Sequence, residues 1–210
     1  MNSTISQLDF DSESKMKERM KNANKYDLCN DTIKEINTIV KSGELGLHRD
    51  QVKGKFLFVG SNSDKMNQAK EYIIDLLEAR NNSLVFNFAD IDNMDGKRKL
   101  VGTYDSKGEL EIMLSEKGYR LLIFDDVDKC LTALGTGAVM SPICGDKIIF
   151  LNGVKVFVGN TYFVYTILQD LNTHDKDDLT YEIKKRRYSF MLSKSISPEF
   201  IAHHNLIVIQ

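Results

Sequence analysis

Short apolar runs alternate along most of the chain with segments whose apolar residues recur every three or four positions. The first helical pattern spans residues 28–40 and is followed by Gly43, which predicts a helix over about 31–41. Beyond it, helical spacing predicts helices at about 66–77, 109–117 and 162–171. Short apolar runs bounded by polar residues or glycine predict five strands, at 55–59, 84–88, 120–124, 154–158 and 206–209.

This alternation predicts the fold class and the domain organisation. Helices between consecutive strands imply right-handed crossovers, so we expect an α/β three-layer sandwich with a mainly parallel central sheet. Residues 1–25 are polar and charged, and we expect a tail there that passes into a helix at about 13–24. The remaining residues, 26–210, are predicted to form one α/β unit.

Three polar or glycine positions stand directly after predicted strands. They are Gly60, Asp125 and Asn160. Ligands of parallel α/β sheets bind beyond the carboxyl ends of the strands, where such positions converge. We therefore expect these three residues to lie at one edge of the sheet, and this convergence is the main functional signal in the sequence.

Composition narrows the class of protein without identifying a function. Of 210 residues, 42% are hydrophobic and 28% are charged, and the net charge of −2 does not indicate a nucleic-acid partner. The basic runs at 97–99 and 184–187 are best explained as solvated faces. Three distant cysteines suggest neither disulfides nor a zinc site. The chain shows no signal-peptide or membrane-spanning pattern, so we expect a cytoplasmic protein without a membrane partner.

The strand–loop–helix at 56–70 (FLFVGSNSDKMNQAK) partly matches a phosphate-binding loop. That loop follows G-x-x-x-x-G-K-[ST], in which backbone amides hold phosphates and the hydroxyl holds Mg²⁺. Here Lys65 stands at the second glycine, Met66 at the lysine and Asn67 at the hydroxyl; with a one-residue deletion, Lys65 serves as the lysine and Met66 replaces the hydroxyl. Judged alone, the segment fits a plain strand–turn–helix better. The candidate nucleotide-binding residues are Gly60, Ser61, Asn62, Ser63, Asp64, Lys65 and Met66.

Two further motifs follow predicted strands. The segment 121–126 (LLIFDD) resembles a Walker B strand, in which Asp125 would organise Mg²⁺ and Asp126 would take the place of the glutamate that polarises the attacking water. Asn160 stands where a polar residue helps to position that water in P-loop enzymes. The alternatives are a solvated acidic turn for the first motif and an asparagine-favoured turn for the second.

Several longer segments stand in a characteristic order. They include 52–60 (VKGKFLFVG), 119–129 (YRLLIFDDVDK), 145–161 (GDKIIFLNGVKVFVGNT) and 197–210 (SPEFIAHHNLIVIQ), with shorter ones at 28–33 (LCNDTI) and 87–91 (NFADI). In this order and spacing they resemble the core of AAA+ ATPases of the Clp/disaggregase-like branch, which implies a P-loop NTPase-like sandwich. The resemblance places Asn160 on the family's sensor-1 asparagine.

Departures from the family pattern are as informative as the matches. The arginine-finger position is His203, which cannot make a permanent bidentate phosphate contact. The pore-loop region is shortened to 100–104, where Tyr104 is the only remnant of the substrate-gripping aromatic. The last core strand ends the sequence, so the resemblance implies a large α/β subdomain without the helical lid and its sensor-2 arginine. An arginine finger alone contributes roughly 10³–10⁵ in rate, so we expect Asp126 and Asn160 to be vestigial catalytic residues.

Three functions follow as hypotheses. The first is a degenerate, chaperone-like AAA+ module, a pseudo-ATPase of the kind a phage or mobile element could carry, which acts in protein–protein interaction or assembly with weak or no nucleotide hydrolysis. Its partner would be another copy or a genuine AAA+ protein, and its cofactor ATP or ADP with Mg²⁺, or none. The second is a divergent Mg-ATP-dependent ATPase that uses Lys65 with Asp125 and Asp126 and needs a partner subunit for hydrolysis. The third is an unrelated α/β binding domain.

Overall fold

The computed structural model has the α/β architecture that the sequence predicts. It describes residues 25–45, 54–87, 102–103, 106–107, 118–128, 148–151, 154–157, 160–171, 179–196 and 198–210. The helices are α1 (Asn30–Glu44), α2 (Ser63–Leu76), α3 (Tyr181–Leu192) and α4 (Pro198–Ala202). The strands are β1 (Gly54–Gly60), β2 (Ser83–Asn87), β3 (Gly102–Thr103), β4 (Ser106–Lys107), β5 (Leu121–Asp125), β6 (Ile148–Leu151), β7 (Val154–Phe157), β8 (Tyr162–Leu168) and β9 (Asn205–Val208).

Five strands form one parallel sheet in the order β2-β5-β8-β1-β9. All seven residues of β1 and the first six of β8 are buried, as expected for parallel strands covered on both faces. Helices α1 and α2 pack on one face, where Ile36 and Ile73 contribute to the core. Helices α3 and α4 pack on the other face through side chains such as Leu192 and Phe200. The result is a three-layer sandwich compatible with a P-loop NTPase-like fold.

The connections that follow β1 and β8 leave the carboxyl ends of these strands in opposite directions. These two strands are neighbours, yet the chain leaves β1 through α2 towards β2 at one side of the sheet. From β8 it returns through α3 to β9 at the opposite side. A pair of adjacent strands whose connections leave in opposite directions is a topological switch point, the usual ligand position in open α/β sheets.

The predicted helix at 162–171 is wrong, because Tyr162–Leu168 form β8 in the middle of the sheet. This run is apolar on both faces, so its periodicity does not separate strand from helix, and its aromatic and β-branched residues suit a strand. The predicted strand at 154–158 exists as β7, but it pairs antiparallel with β6 instead of joining the main sheet. The predictions at 13–24 and 109–117 lie outside the described residues.

The outer edge of β9 is closed by hydroxyl groups from both covering layers. The Val208 amide donates to the Tyr181 hydroxyl oxygen at 3.2 Å, and the Val208 carbonyl accepts from Thr32 Oγ1 at 2.7 Å. Tyr181 in turn donates to Glu35 Oε2 at 2.9 Å, and Lys185 Nζ lies 2.5 Å from Glu35 Oε1. Burial, followed by the Glu35 charge, holds the pKa of Tyr181 well above its usual value. A side-chain bridge therefore joins α1 to α3 across this edge.

Candidate functional site at the carboxyl edge of the sheet

The connection between β1 and α2 is very short. Strand β1 ends at Gly60 and α2 begins at Ser63, so only Ser61 and Asn62 lie between them. The glycine has a packing explanation, because a Cβ atom at Gly60 would lie 2.6 Å from the carbonyl oxygen of Ile209. A two-residue turn is too short to wrap around a phosphate as the longer glycine-rich loop does.

The amides at the start of α2 are engaged by the chain itself. Asn62 Oδ1 accepts from the amides of Asp64 and Lys65, at 2.9 and 3.1 Å, and caps the helix. The carboxylate of Asp64 stands in the first turn, where the helix dipole favours a negative charge. A phosphate-binding loop offers these same groups to its ligand. Here a nucleotide phosphate would have to replace the Asn62 cap and approach Asp64.

Lys65 is turned towards the segment that precedes α1. Its ammonium donates to the backbone carbonyl of Asp27 at 2.6 Å and forms an ion pair with the Asp27 carboxylate. The amide of Asp27 donates in turn to Gln68 Oε1 at 2.6 Å. Met66 is buried in the core and Asn67 is exposed. Neither alignment of the loop motif thus provides a lysine that is free of an internal partner.

Asp125, the candidate metal ligand, has a partner on each carboxylate oxygen. Lys70 Nζ lies 2.5 Å from Oδ2, and Thr166 Oγ1 donates to Oδ1 at 2.8 Å. The side chains of Lys70 and Asp125 are only 17% and 15% exposed, so little water screens their charges. This pair lies between α2 and the carboxyl end of β5, next to the switch point. The positive charge next to Asp125 is therefore the ammonium of Lys70, a residue of the same chain.

Thr166 joins the two acidic residues of the Walker B-like segment. While its hydroxyl donates to Asp125, its oxygen accepts from the amide of Asp126 at 3.1 Å. Asp126 has φ = 54°, in the left-handed region that aspartate tolerates better than most residues. The acidic turn after β5 is therefore held by a side chain of the neighbouring strand.

Sequence reasoning missed Lys70 and Thr166. Lys70 lies one helical turn beyond Met66 on α2, outside the loop motif, although i and i+4 side chains share a face of a helix. Thr166 was hidden because β8 was predicted as a helix. The available signal was a threonine among the aromatic and aliphatic residues of a buried run.

The prediction that Asn160 joins Gly60 and Asp125 at one edge is wrong. Asn160 precedes β8, whose first residue pairs with the first residues of β1 and β5. It therefore lies at the amino edge, one strand length or about 20 Å from the loop after β1. His203 is exposed between α4 and β9, on the amino-terminal side of that strand. Tyr104 lies outside the described residues.

A cavity of about 330 Å³ lies away from this edge, between α1 and α3 beside the start of β9. It is lined mainly by polar and charged residues, and the Glu35–Lys185 pair occupies part of its wall. Within the described ranges, no three His, Cys, Asp or Glu side chains come together as a metal site. In the same ranges no helix has the length and apolar character needed to cross a membrane.

No protein-family model matches the chain, and no curated protein matches it significantly. The geometry of the carboxyl edge and the sequence motifs are therefore the grounds for a functional proposal.

Proposed function

We propose that this chain is a degenerate AAA+-like module, a pseudo-ATPase, which acts in protein–protein interaction or assembly with weak or no nucleotide hydrolysis. The observation that carries this proposal is the Lys70–Asp125 ion pair. In P-loop NTPases the corresponding carboxylate helps to hold Mg²⁺ between the phosphates and the protein. Here a divalent cation would have to displace an ammonium that lies 2.5 Å from the carboxylate in a mostly buried position.

The connection after β1 supports the same conclusion. Catalysis of phosphoryl transfer depends on positioning and on charge stabilisation around the phosphates. Asn62 caps the amides that would hold the phosphates, and Lys65 is paired with Asp27. Each of these contacts is one that a bound Mg-nucleotide would have to break. Because a nucleotide would have to break all of these contacts, we expect ATP and ADP to bind weakly or not at all.

An interaction role is the function that remains for such a core. The resemblance to AAA+ proteins favours assembly, since their subunits pack side by side through the large α/β subdomain. The proposed partner is a second copy of this chain or a genuine AAA+ protein. Neither a membrane nor a nucleic acid is proposed as a partner, and the expected site of action is the cytoplasm.

Nucleotide binding tests the pseudo-ATPase part directly. Calorimetry with ATP or ADP and Mg²⁺ should give no binding up to millimolar nucleotide, in the wild type and in Lys65→Ala alike. The matched control is Lys41→Ala, which removes an exposed lysine from α1, away from the edge. Thermal unfolding provides a second readout, because a ligand present at 100 times its Kd stabilises by about 2.7 kcal/mol. Tight binding that is lost in Lys65→Ala but kept in Lys41→Ala would contradict the pseudo-ATPase proposal and favour the divergent ATPase.

Light scattering tests assembly with this chain alone. We expect the particle mass to rise with concentration if the partner is a second copy. A constant monomer mass at high concentration would exclude self-assembly. Co-sedimentation with an AAA+ protein from the same source would then have to show a complex. Failure of both experiments would contradict the assembly role.

A further inference from the structure

The basic run on α3 divides into two residues with internal partners and two without. Lys184 Nζ donates to Gln210 Oε1 at 2.6 Å, and Lys185 Nζ lies 2.5 Å from Glu35 Oε1. Arg186 and Arg187 are exposed, and they make no ion pair or hydrogen bond within the described part of the chain. Half of the run thus has internal contacts, while the two arginines face solvent.

The same helix carries two exposed large apolar side chains. Phe190 is 67% exposed and Ile183 is 43% exposed. They are seven positions apart, which separates them by about 10 Å along the helix axis. Just past the end of α3, the Lys194 ammonium lies 4.5 Å from the centre of the Phe190 ring.

These residues form one surface, which we name the outer stripe of α3. Relative to Ile183, the residues Arg187, Phe190 and Lys194 stand at i+4, i+7 and i+11, and Arg186 lies beside them. The opposite side of the helix bears the side chains that pack on the sheet: Tyr181, Tyr188 and Leu192. Because that inner side is buried, α3 cannot rotate, and the stripe stays on the surface.

We propose that the outer stripe of α3 binds an acidic amphipathic helix of a partner protein. This inference rests on the proposed interaction role and assigns it a surface and a partner chemistry. Two apolar anchors about two turns apart match the i and i+7 positions of a helix that packs along α3. Three cations beside the anchors favour carboxylates on the flanks of the partner and disfavour basic sequences.

Other classes of partner fit the stripe less well. Helices that bind in the plane of a membrane present a broad apolar face, whereas this stripe has only two apolar residues. Surfaces that bind single-stranded nucleic acid interleave several aromatics with basic residues, and here Phe190 is the only aromatic of the stripe. A partner helix with acidic flanks contacts both the two apolar residues and the cations of the stripe.

Selection from a display library of helix-forming peptides tests the proposal on the full chain. The peptides enriched by the wild type should combine carboxylates with apolar residues spaced by about two turns. The double variant Arg186→Glu, Arg187→Glu should bind these peptides about tenfold more weakly or worse, and it should itself enrich basic peptides. Phe190→Ser should weaken binding to a similar extent. All of these positions are exposed, so the fold should be retained.

Two variants control for position. Lys41→Glu changes charge in the same direction on α1, and Leu45→Ser removes an apolar side chain that is 64% exposed elsewhere. Neither should change binding of the selected peptides. The proposal is overturned if no peptide is enriched, if the enriched peptides lack acidic bias, or if the arginine variants bind them unchanged. Binding that appears only with phosphatidylserine vesicles or single-stranded RNA as the probe would also overturn it. Nucleotide binding is measured separately from peptide binding. The pseudo-ATPase proposal and the proposal for the outer stripe of α3 can therefore fail independently of each other.

Discussion

The carboxyl edge of the sheet and the outer stripe of α3 contain similar kinds of residue but differ in how those residues are partnered. At the edge, Asn62, Lys65 and Asp125 all contact groups of the same chain. On the stripe, Arg186 and Arg187 have no such contacts among the described residues. A ligand at the edge must therefore displace internal partners, whereas one that contacts Arg186 and Arg187 need displace only water. Judged by residue types alone, the edge would have been the better candidate for a ligand-binding site.

Replacement of Asp125 should cause the largest loss of stability at the carboxyl edge. Asp125→Ala leaves the mostly buried Lys70 ammonium without its counter-charge, and we expect a loss of about 3–5 kcal/mol in the free energy of unfolding. The additional change Lys70→Met should restore much of that stability. Urea unfolding of both single variants and of the double variant measures the coupling. Additive effects would mean that solvent already screens the pair.

The inner side of α3 should respond to high pH, in contrast to its outer stripe. Burial, helped by the Asp170 charge, raises the pKa of Tyr188 to about 12 from 10.0. The unfolded chain therefore loses this proton first, and the fold loses up to about 3 kcal/mol as pH rises from 10 to 12.

Tyr188→Phe removes that titration together with the hydrogen bond to the Gln169 carbonyl. Below pH 10 the variant should be less stable than the wild type by about 1 kcal/mol. Between pH 10 and 12 its stability should fall less steeply. Thermal unfolding from pH 8 to 12 compares the two slopes, and parallel curves would show that Tyr188 does not contribute.

A side chain at Gly60 should disturb the packing of the edge. Gly60→Ala places Cβ 2.6 Å from a backbone oxygen that cannot move without shifting the segment after β9, so we expect a loss of about 2 kcal/mol. Gly118→Ala is the matched control, because a Cβ atom there would have no neighbour within 4 Å. Equal melting temperatures for the two variants would contradict the close approach.

Loss of the helix cap should have a smaller effect. Asn62→Ala removes the acceptor for two amides of α2, and we expect a loss of about 1 kcal/mol. Asn62→Asp keeps an acceptor and should remain close to the wild type. Asn62→Ala also tests the site itself. A nucleotide that binds to this variant but not to the wild type would show that Asn62 closes the site.

Substitutions on the outer stripe should have the smallest effect on stability. Arg187→Glu and Phe190→Ser change exposed groups, so the free energy of unfolding should move by no more than about 0.5 kcal/mol. Denaturant unfolding checks this expectation. A large loss would mean that these side chains support the fold, and it would remove the contrast with the closed edge.

Local patterns predicted much of the fold. The helix at 31–41 appears in the structure because its apolar spacing matches the helical period, and the strands at 55–59 and 120–124 appear because short apolar runs end there at a glycine or an aspartate. The prediction from local patterns failed at β8. That strand is buried on both faces, and a continuous apolar run carries no periodic signal. Residues 154–158 were also expected in the main sheet, and the two errors together placed Asn160 at the carboxyl edge instead of the amino edge.

The candidate site was only partly predictable. The loop motif and the acidic turn lie at one edge, as expected, since both follow strands of one parallel sheet. Their partners could not be read from the chain, because Lys70 and Asp125 are far apart in sequence and meet only through the packing of α2 beside β5. Whether a polar residue is free for a ligand depends on such contacts.

The hydroxyl closure of β9 limits the ways in which copies of this protein can join. An edge strand normally offers unpaired amides and carbonyls on which another chain can build. At Val208 the Tyr181 and Thr32 hydroxyls already occupy both groups, and the Glu35 bridge crosses the same edge. A fibre built by continuing the sheet past β9 would first have to pull two helices apart. Copies that meet on this side should therefore dock through side chains and separate again without unfolding.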